Sequence, residues 1–140
     1  MDLTLAIIKP DAVEGRKIGR ILAQLEDAGF SIRAAKFVQL DEPQAGAFYA
    51  VHSERPFYEP LKRFMTSGPI LALALEHEDA VTRLRKVIGA TDPAEAEPGT
   101  VRAQYAESKE RNAIHASDSD ETARQELSFF FSSRELMGAA

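Results

Sequence analysis

Moving a charged group needs a nucleophile, a proton acceptor or a cation, and this chain offers few of the first. It has no cysteine, so thiolate nucleophiles, disulfides and Cys-held zinc or iron–sulfur centres are excluded. Three histidines remain: His52, His77 and His115. No His-Glu-x-x-His run occurs and no partner spacing suits a metal, which argues against a zinc enzyme. His52, beside Ser53-Glu54-Arg55, and His77, among Glu76, Glu78 and Asp79, read as surface or packing residues. His115 differs, because it precedes Ala116-Ser117-Asp118-Ser119 at a helix start. Unpaired N–H groups and the helix dipole favour an anion there. A neutral imidazole is a competent nucleophile near pH 7, but the residues alone leave a satisfied core histidine equally open.

Phosphate fingerprints are missing. Gly15-Arg16-Lys17-Ile18-Gly19 lacks the length and Lys-Ser/Thr ending of a P-loop, and no Gly-x-Gly-x-x-Gly exists. Scattered cations remain: Lys9 closing an apolar run, Arg85 on a helix flank and Arg102 in a long loop. Each reads first as a solvated charge, Lys9 least comfortably. Pro56-Phe57-Tyr58 with Leu61 and Phe64 has helical spacing and reads first as core packing.

These residues need elements to hold them. Thr4 to Ile8 is apolar and β-branched and ends at Lys9-Pro10-Asp11, which reads as a buried strand running into a turn. Ile18, Ile21, Leu22 and Leu25 recur at helical spacing, with Gly29 as the stop. Phe30 to Leu40 alternates loosely as a second strand. Asp41-Glu42-Pro43 starts a helix, and Phe57, Leu61, Phe64 and Met65 mark another that closes at Ser67-Gly68-Pro69. Ile70 to Leu75 predicts a third strand; Val81, Leu84 and Ile88 predict a helix that Gly89 ends. Residues 89–112 show little apolar periodicity and read as a long functional loop. Asn112 to His115 is a short fourth strand. Ser117-Asp118-Ser119 caps a last helix with Ala123, Leu127 and Phe130 inward. That order predicts an α/β (α+β), ferredoxin-like βαββαβ sandwich, a four-stranded antiparallel sheet with helices packed on one face.

The 140 residues suit one domain spanning 1–140, with 44% hydrophobic and 28% charged residues as in an ordinary globular chain. The net charge of −5 argues against a general nucleic-acid or anionic-membrane binder. Neither a leader nor a run of ~18 apolar residues is visible, so the expected location is cytoplasmic.

Several stretches together resemble one family. Asn112-Ala113-Ile114-His115-Ala116-Ser117-Asp118-Ser119 is similar to the active-site signature of nucleoside diphosphate kinases. Ile7-Ile8-Lys9-Pro10-Asp11-Ala12-Val13, Arg55-Pro56-Phe57-Tyr58, Phe64-Met65-Thr66-Ser67-Gly68-Pro69, Gly89-Ala90-Thr91-Asp92-Pro93-Ala94 and Pro98-Gly99-Thr100-Val101-Arg102 match the same family in order. The resemblance covers essentially the whole chain.

It implies that His115 takes the γ-phosphoryl group of a nucleoside triphosphate and passes it to a second nucleoside diphosphate in a ping-pong cycle. Glu126 matches the glutamate that orients the ring, and Ser117 the serine beside it. Lys9, Tyr49, Arg85, Thr91 and Arg102 match residues around the phosphates, and Lys9 with Asn112 the pair that hold the ribose 3′-hydroxyl. Phe57 matches the aromatic under the base, with Leu61 beside it; stacking of this kind implies broad base tolerance. Mg²⁺ is implied on the nucleotide phosphates, with Asp118 near it through water. A homo-oligomer, tetramer or hexamer built from dimers, is implied too. Three departures stand out. Lys109 occupies a usually apolar position across from the base, and His77-Glu78 varies a turn. Ala116 replaces a glycine, which would be strained if the backbone there needs a positive φ. The rival from another class is a non-catalytic ferredoxin-like module that binds a nucleotide or a partner for regulation; an RNA-binding sheet lacks the aromatic strand motif and a basic face.

Overall fold

The computed structural model describes residues 1–137. Strand β1 (Leu3–Ile8) is followed by α1 (Pro10–Glu14), α2 (Ile18–Asp27) and β2 (Ser31–Val38). Next come α3 (Glu42–Phe48), a 3₁₀ turn (Ala50–His52), α4 (Tyr58–Met65), β3 (Ile70–Glu76) and α5 (Ala80–Ile88). A second 3₁₀ turn (Pro93–Glu95) and α6 (Val101–Tyr105) lead to β4 (Ile114–Ala116), α7 (Asp120–Phe130) and α8 (Ser133–Met137). The sheet order is β2-β3-β1-β4, with every neighbouring pair antiparallel. This is the ferredoxin-like α+β arrangement, in which β1 and β3 occupy the centre.

Helices cover both faces of the sheet, where the sequence pattern predicts one. The cause lies in the central strands: Leu5, Ala6, Ile7 and Ile8 are all fully buried, as are Ala72, Leu73, Ala74 and Leu75. A strand apolar on both sides needs a layer on each. Ala6, Ile8, Leu73 and Leu75 pack with Ile21 and Leu25 of α2 and Leu84 and Ile88 of α5. On the other side Leu5, Ile7, Ala72 and Ala74 meet Ala45 and Tyr49 near α3, Met65 of α4 and Leu127 and Phe130 of α7.

The turn expected at Pro10 is a short helix. Lys9 stays extended at ψ 166 and Pro10 opens α1 at a position that needs no N–H. The long loop over 89–112 contains the Pro93–Glu95 turn and α6, anchored by the fully buried Val101. Gly29 and Gly89 stop α2 and α5 as the sequence predicts, both at positive φ. Beyond Phe131 the chain adds α8, and residues 138–140 lie outside the described residues.

Candidate active site

His115 is the middle residue of β4, opposite Ile7 of β1. Its neighbours Ile114 and Ala116 turn into the first core, so strand alternation points His115 to the other face, toward α3 and α7. Helix α7 begins at a capping box, in which the Ser119 hydroxyl accepts from the Thr122 N–H and the Thr122 hydroxyl bonds back to Ser119. Ala123, Leu127 and Phe130 face inward from this helix. Glu126, beside Leu127, reaches His115: the imidazole Nε2–H donates to Glu126 Oε1 at 2.8 Å. The Ser117 hydroxyl donates to the same oxygen at 2.7 Å.

The tautomer follows from this bond. A carboxylate offers only lone pairs, so the proton sits on Nε2 and Nδ1 keeps a free pair. Both side chains are about 20% exposed, enough for a phosphate to reach a ring that is otherwise held. Phe48 meets the imidazole edge-on with ring centroids 5.6 Å apart, and Tyr49 does so at 6.3 Å. The Tyr49 phenol is buried without a hydrogen-bond partner, and burial, with Glu126 adding, pushes its pKa up.

The scattered cations converge. Arg102 is buried, donating from Nη2 to the Ile114 carbonyl at 2.7 Å and from Nη1 to the Gly89 carbonyl at 3.0 Å. Arg85 Nη1 donates to the Ala116 carbonyl at 3.4 Å. The two guanidiniums therefore hold backbone oxygens on either side of His115. Burial, and then the Arg85 charge, lowers the Arg102 pKa to about 10. Lys9 Nζ donates to Asn112 Oδ1 at 2.9 Å, and Asn112 Nδ2 donates to the Thr91 carbonyl at 3.2 Å. Burial lowers the Lys9 pKa to about 8; Arg102 pushes the same way, and Asp11 opposes. Among the described residues none of these three cations has a carboxylate within 4.0 Å. They are short of negative charge, a state that a bound phosphate relieves.

Beside this cluster lies a cleft of about 470 Å³, lined by Phe57, Leu61, Lys109, Thr91, Asn112 and Lys9 among others. Phe57 is 48% exposed, a large apolar ring offering its surface at the cleft. Lys109 does share the lining, so its stem is available to cover a planar group. Asp118, the residue before the α7 cap, is exposed, and its Oδ1 accepts from the Thr122 hydroxyl at 2.8 Å. Among the described residues no three His, Cys, Asp or Glu side chains cluster as metal ligands. His52 packs against Phe57 and His77 against Phe30, neither bonded to His115.

Ala116 carries no strain: it is an extended β4 residue and is not among those at positive φ. The strained residue is Ala113, at φ 74. Sequence reasoning also passed over Asp11 and Phe48. In the sequence Asp11 reads as part of the turn after the first strand, and Phe48 offers only its place next to Tyr49.

The nucleoside diphosphate kinase family model matches residues 2–136. A nucleoside diphosphate kinase of Gluconacetobacter diazotrophicus is 57% identical over 96% of this chain and 96% of its own. That of Desulfatibacillum aliphaticivorans is 53% identical over 99% and 100%. Among solved structures, the Aquifex aeolicus nucleoside diphosphate kinase has a TM-score of 0.94 at 48% identity, covering 96% of this chain and 97% of that one. The Halobacterium salinarum enzyme, solved in complex with CDP, has a TM-score of 0.94 at 37% identity, covering 100% and 94%. With its oriented histidine amid unpaired cations, this chain belongs to the nucleoside diphosphate kinase family and is a phosphotransferase of that class.

Proposed function

We propose that this chain transfers the γ-phosphoryl group of a nucleoside triphosphate to a nucleoside diphosphate through a phosphohistidine on His115. The observation that carries the reading is the 2.8 Å bond from His115 Nε2–H to Glu126, which leaves Nδ1 as the attacking atom. In the first half-reaction the Nδ1 lone pair forms a P–N bond and the β–γ bridging P–O bond breaks. The nucleoside diphosphate leaves with the electron pair of that bond. The ring, still protonated at Nε2, gains positive charge that the Glu126 carboxylate balances. In the second half-reaction a terminal oxygen of another nucleoside diphosphate attacks phosphorus and the P–N bond breaks. One site serves donor and acceptor in turn.

Arg85, Arg102, Thr91 and the Tyr49 phenol would face the phosphates, with cations placed where equatorial oxygens gather charge. Ser117 keeps Glu126 fixed. Lys9 and Asn112 are joined in one hydrogen bond and would take the ribose 3′-hydroxyl together. Phe57 with Leu61 would stack the base, and stacking of ~1–3 kcal/mol discriminates little among bases. Asp118 is the residue that would hold Mg²⁺ through water, where the ion would supply charge neutralisation on the nucleotide phosphates. We further propose one unit over 1–140, a cytoplasmic location, a homo-oligomer, and no need for nucleic acid.

Incubation with γ-labelled ATP tests the core of the reading. Acid-labile label on the protein, absent from His115→Ala, is expected, along with parallel-line ping-pong kinetics. Label persisting in His115→Ala, or no label at all, overturns it in favour of a nucleotide-binding module.

A further inference from the structure

Asp11 is a carboxylate 6% exposed in the first turn of α1, where no reaction step needs it. It enters no ion pair among the described residues, and its Oδ1 is buried with no hydrogen-bond partner. Burial holds its pKa above the ordinary carboxylate value, with the Ala113 N–H and the Lys9 ammonium pulling the other way. A buried carboxylate with an orphaned oxygen is costly, and its remaining bond shows what offsets that cost. Asp11 Oδ2 accepts from the backbone N–H of Ala113 at 3.0 Å, across 102 residues of chain. The Ala113 carbonyl accepts from the Lys9 N–H at 2.9 Å. Both polar groups of one peptide residue are thus gripped by the β1–α1 junction.

Ala113 is also one of the non-glycine residues at positive φ, a region that L side chains disfavour. Such a conformation persists only when its surroundings over-determine it. On one side of the bend Asn112 turns its amide back to Lys9 and Thr91. On the other, β4 starts at once and places His115 two residues on.

We propose that Asp11 is a positioning residue, which holds Ala113 in its left-handed conformation and so fixes His115 and Asn112 relative to each other. This rests on the reading of His115 as the nucleophile. An anchor to the backbone sets where the strand begins, while Glu126 sets how the ring is turned. Losing the anchor would let Ala113 relax toward ordinary φ, shift β4 and move Nδ1 off line, and small misplacements of reacting atoms are expensive in rate.

The test compares wild type with Asp11→Ala, Asp11→Asn, Ala113→Gly and the double variant Asp11→Ala/Ala113→Gly. Rapid-quench measurement of His115 phosphorylation by γ-labelled ATP is read beside steady-state kcat and KM. Asp11→Ala should slow phosphorylation by roughly 10²-fold, with the loss chiefly in kcat. Asp11→Asn keeps an oxygen that can accept from the Ala113 N–H and should lose only part of that. The double variant should recover rate over Asp11→Ala, because glycine adopts φ 74 without an anchor. A purely stabilising aspartate gives no such rescue, since glycine adds no packing and loosens the chain. Should Asp11→Ala fail to fold, the comparison of Asp11→Asn with Asp11→Asn/Ala113→Gly decides by the same criterion. Labelled wild type with undiminished rate in the Asp11 variants, or loss that glycine does not relieve, overturns the inference alone. Wild type that takes no label on His115 overturns the nucleophile reading and the inference with it.

Discussion

Lys9 shows how burial can tune a single group. Its ammonium titrates near pH 8 in the free protein because it has little water and a guanidinium nearby. A lowered pKa means that the folded chain gives up this proton more readily than the unfolded one. Charge at Lys9 is therefore complete only well below pH 8 and is lost as pH rises through it, whereas bound phosphates would hold the proton on. The alkaline limb of kcat/KM, which reports the free enzyme, is expected near pH 8, and that of kcat higher. Lys9→Arg should abolish the first limb even if it lowers the rate, and pH–rate profiles of both proteins check this. Glu126→Ala should slow His115 phosphorylation by roughly 10²-fold through loss of ring orientation, measurable by rapid quench. At this scale residue type and a place before a helix start mark His115 as a candidate but leave a core histidine equally open, and its role as nucleophile comes with the family resemblance. Glu126, eleven residues on, came only with the family resemblance, since nothing in helical spacing says which polar residue turns toward a strand. Ala116 would be strained only if its backbone needed a positive φ, and it does not; the positive φ falls at Ala113, because backbone dihedrals depend on the clamp at residues 9 and 11, which is a tertiary fact.

Elements carry these residues, and their ends are the vulnerable points. Ser119→Ala removes the cap and half of the box at the start of α7, the helix that bears Glu126. The expected loss is ~1 kcal/mol, read as a lower denaturant midpoint. Gly89→Ala is a harsher change. Glycine adopts φ 89 with ψ −179 there, and an added Cβ would lie 2.5 Å from Thr100 Oγ1. The Gly89 carbonyl also holds Arg102. A cost of ~1–3 kcal/mol is expected, together with a raised KM for nucleotide. The longer helices were readable because α2 and α5 repeat their apolar stripe over two turns or more. Helices α1, α6 and α8 span five residues each, too few for a period to register, and so the sequence reads as a turn and a loop where α1 and α6 stand.

The whole molecule is a sheet clad on both sides, and its central alanines set how near the second layer lies. Ala74 is fully buried in the core shared with Leu127 and Phe130. Ala74→Leu should cost ~1–3 kcal/mol by overpacking and lower the denaturant midpoint without changing the slope. A net charge of −5 coexists with a cluster of cations. Average charge governs non-specific association, and only folding brings Lys9, Arg85 and Arg102 together.

The Lys9–Asn112–Thr91 chain of hydrogen bonds and the Asp11–Ala113 clamp also bear on the order of synthesis. A nascent chain that has emerged through Arg102 carries all three cations but neither the bend that Asp11 grips nor His115. The clamp and the cation cluster come together only once β4 and α7, segments that leave the ribosome late, have emerged.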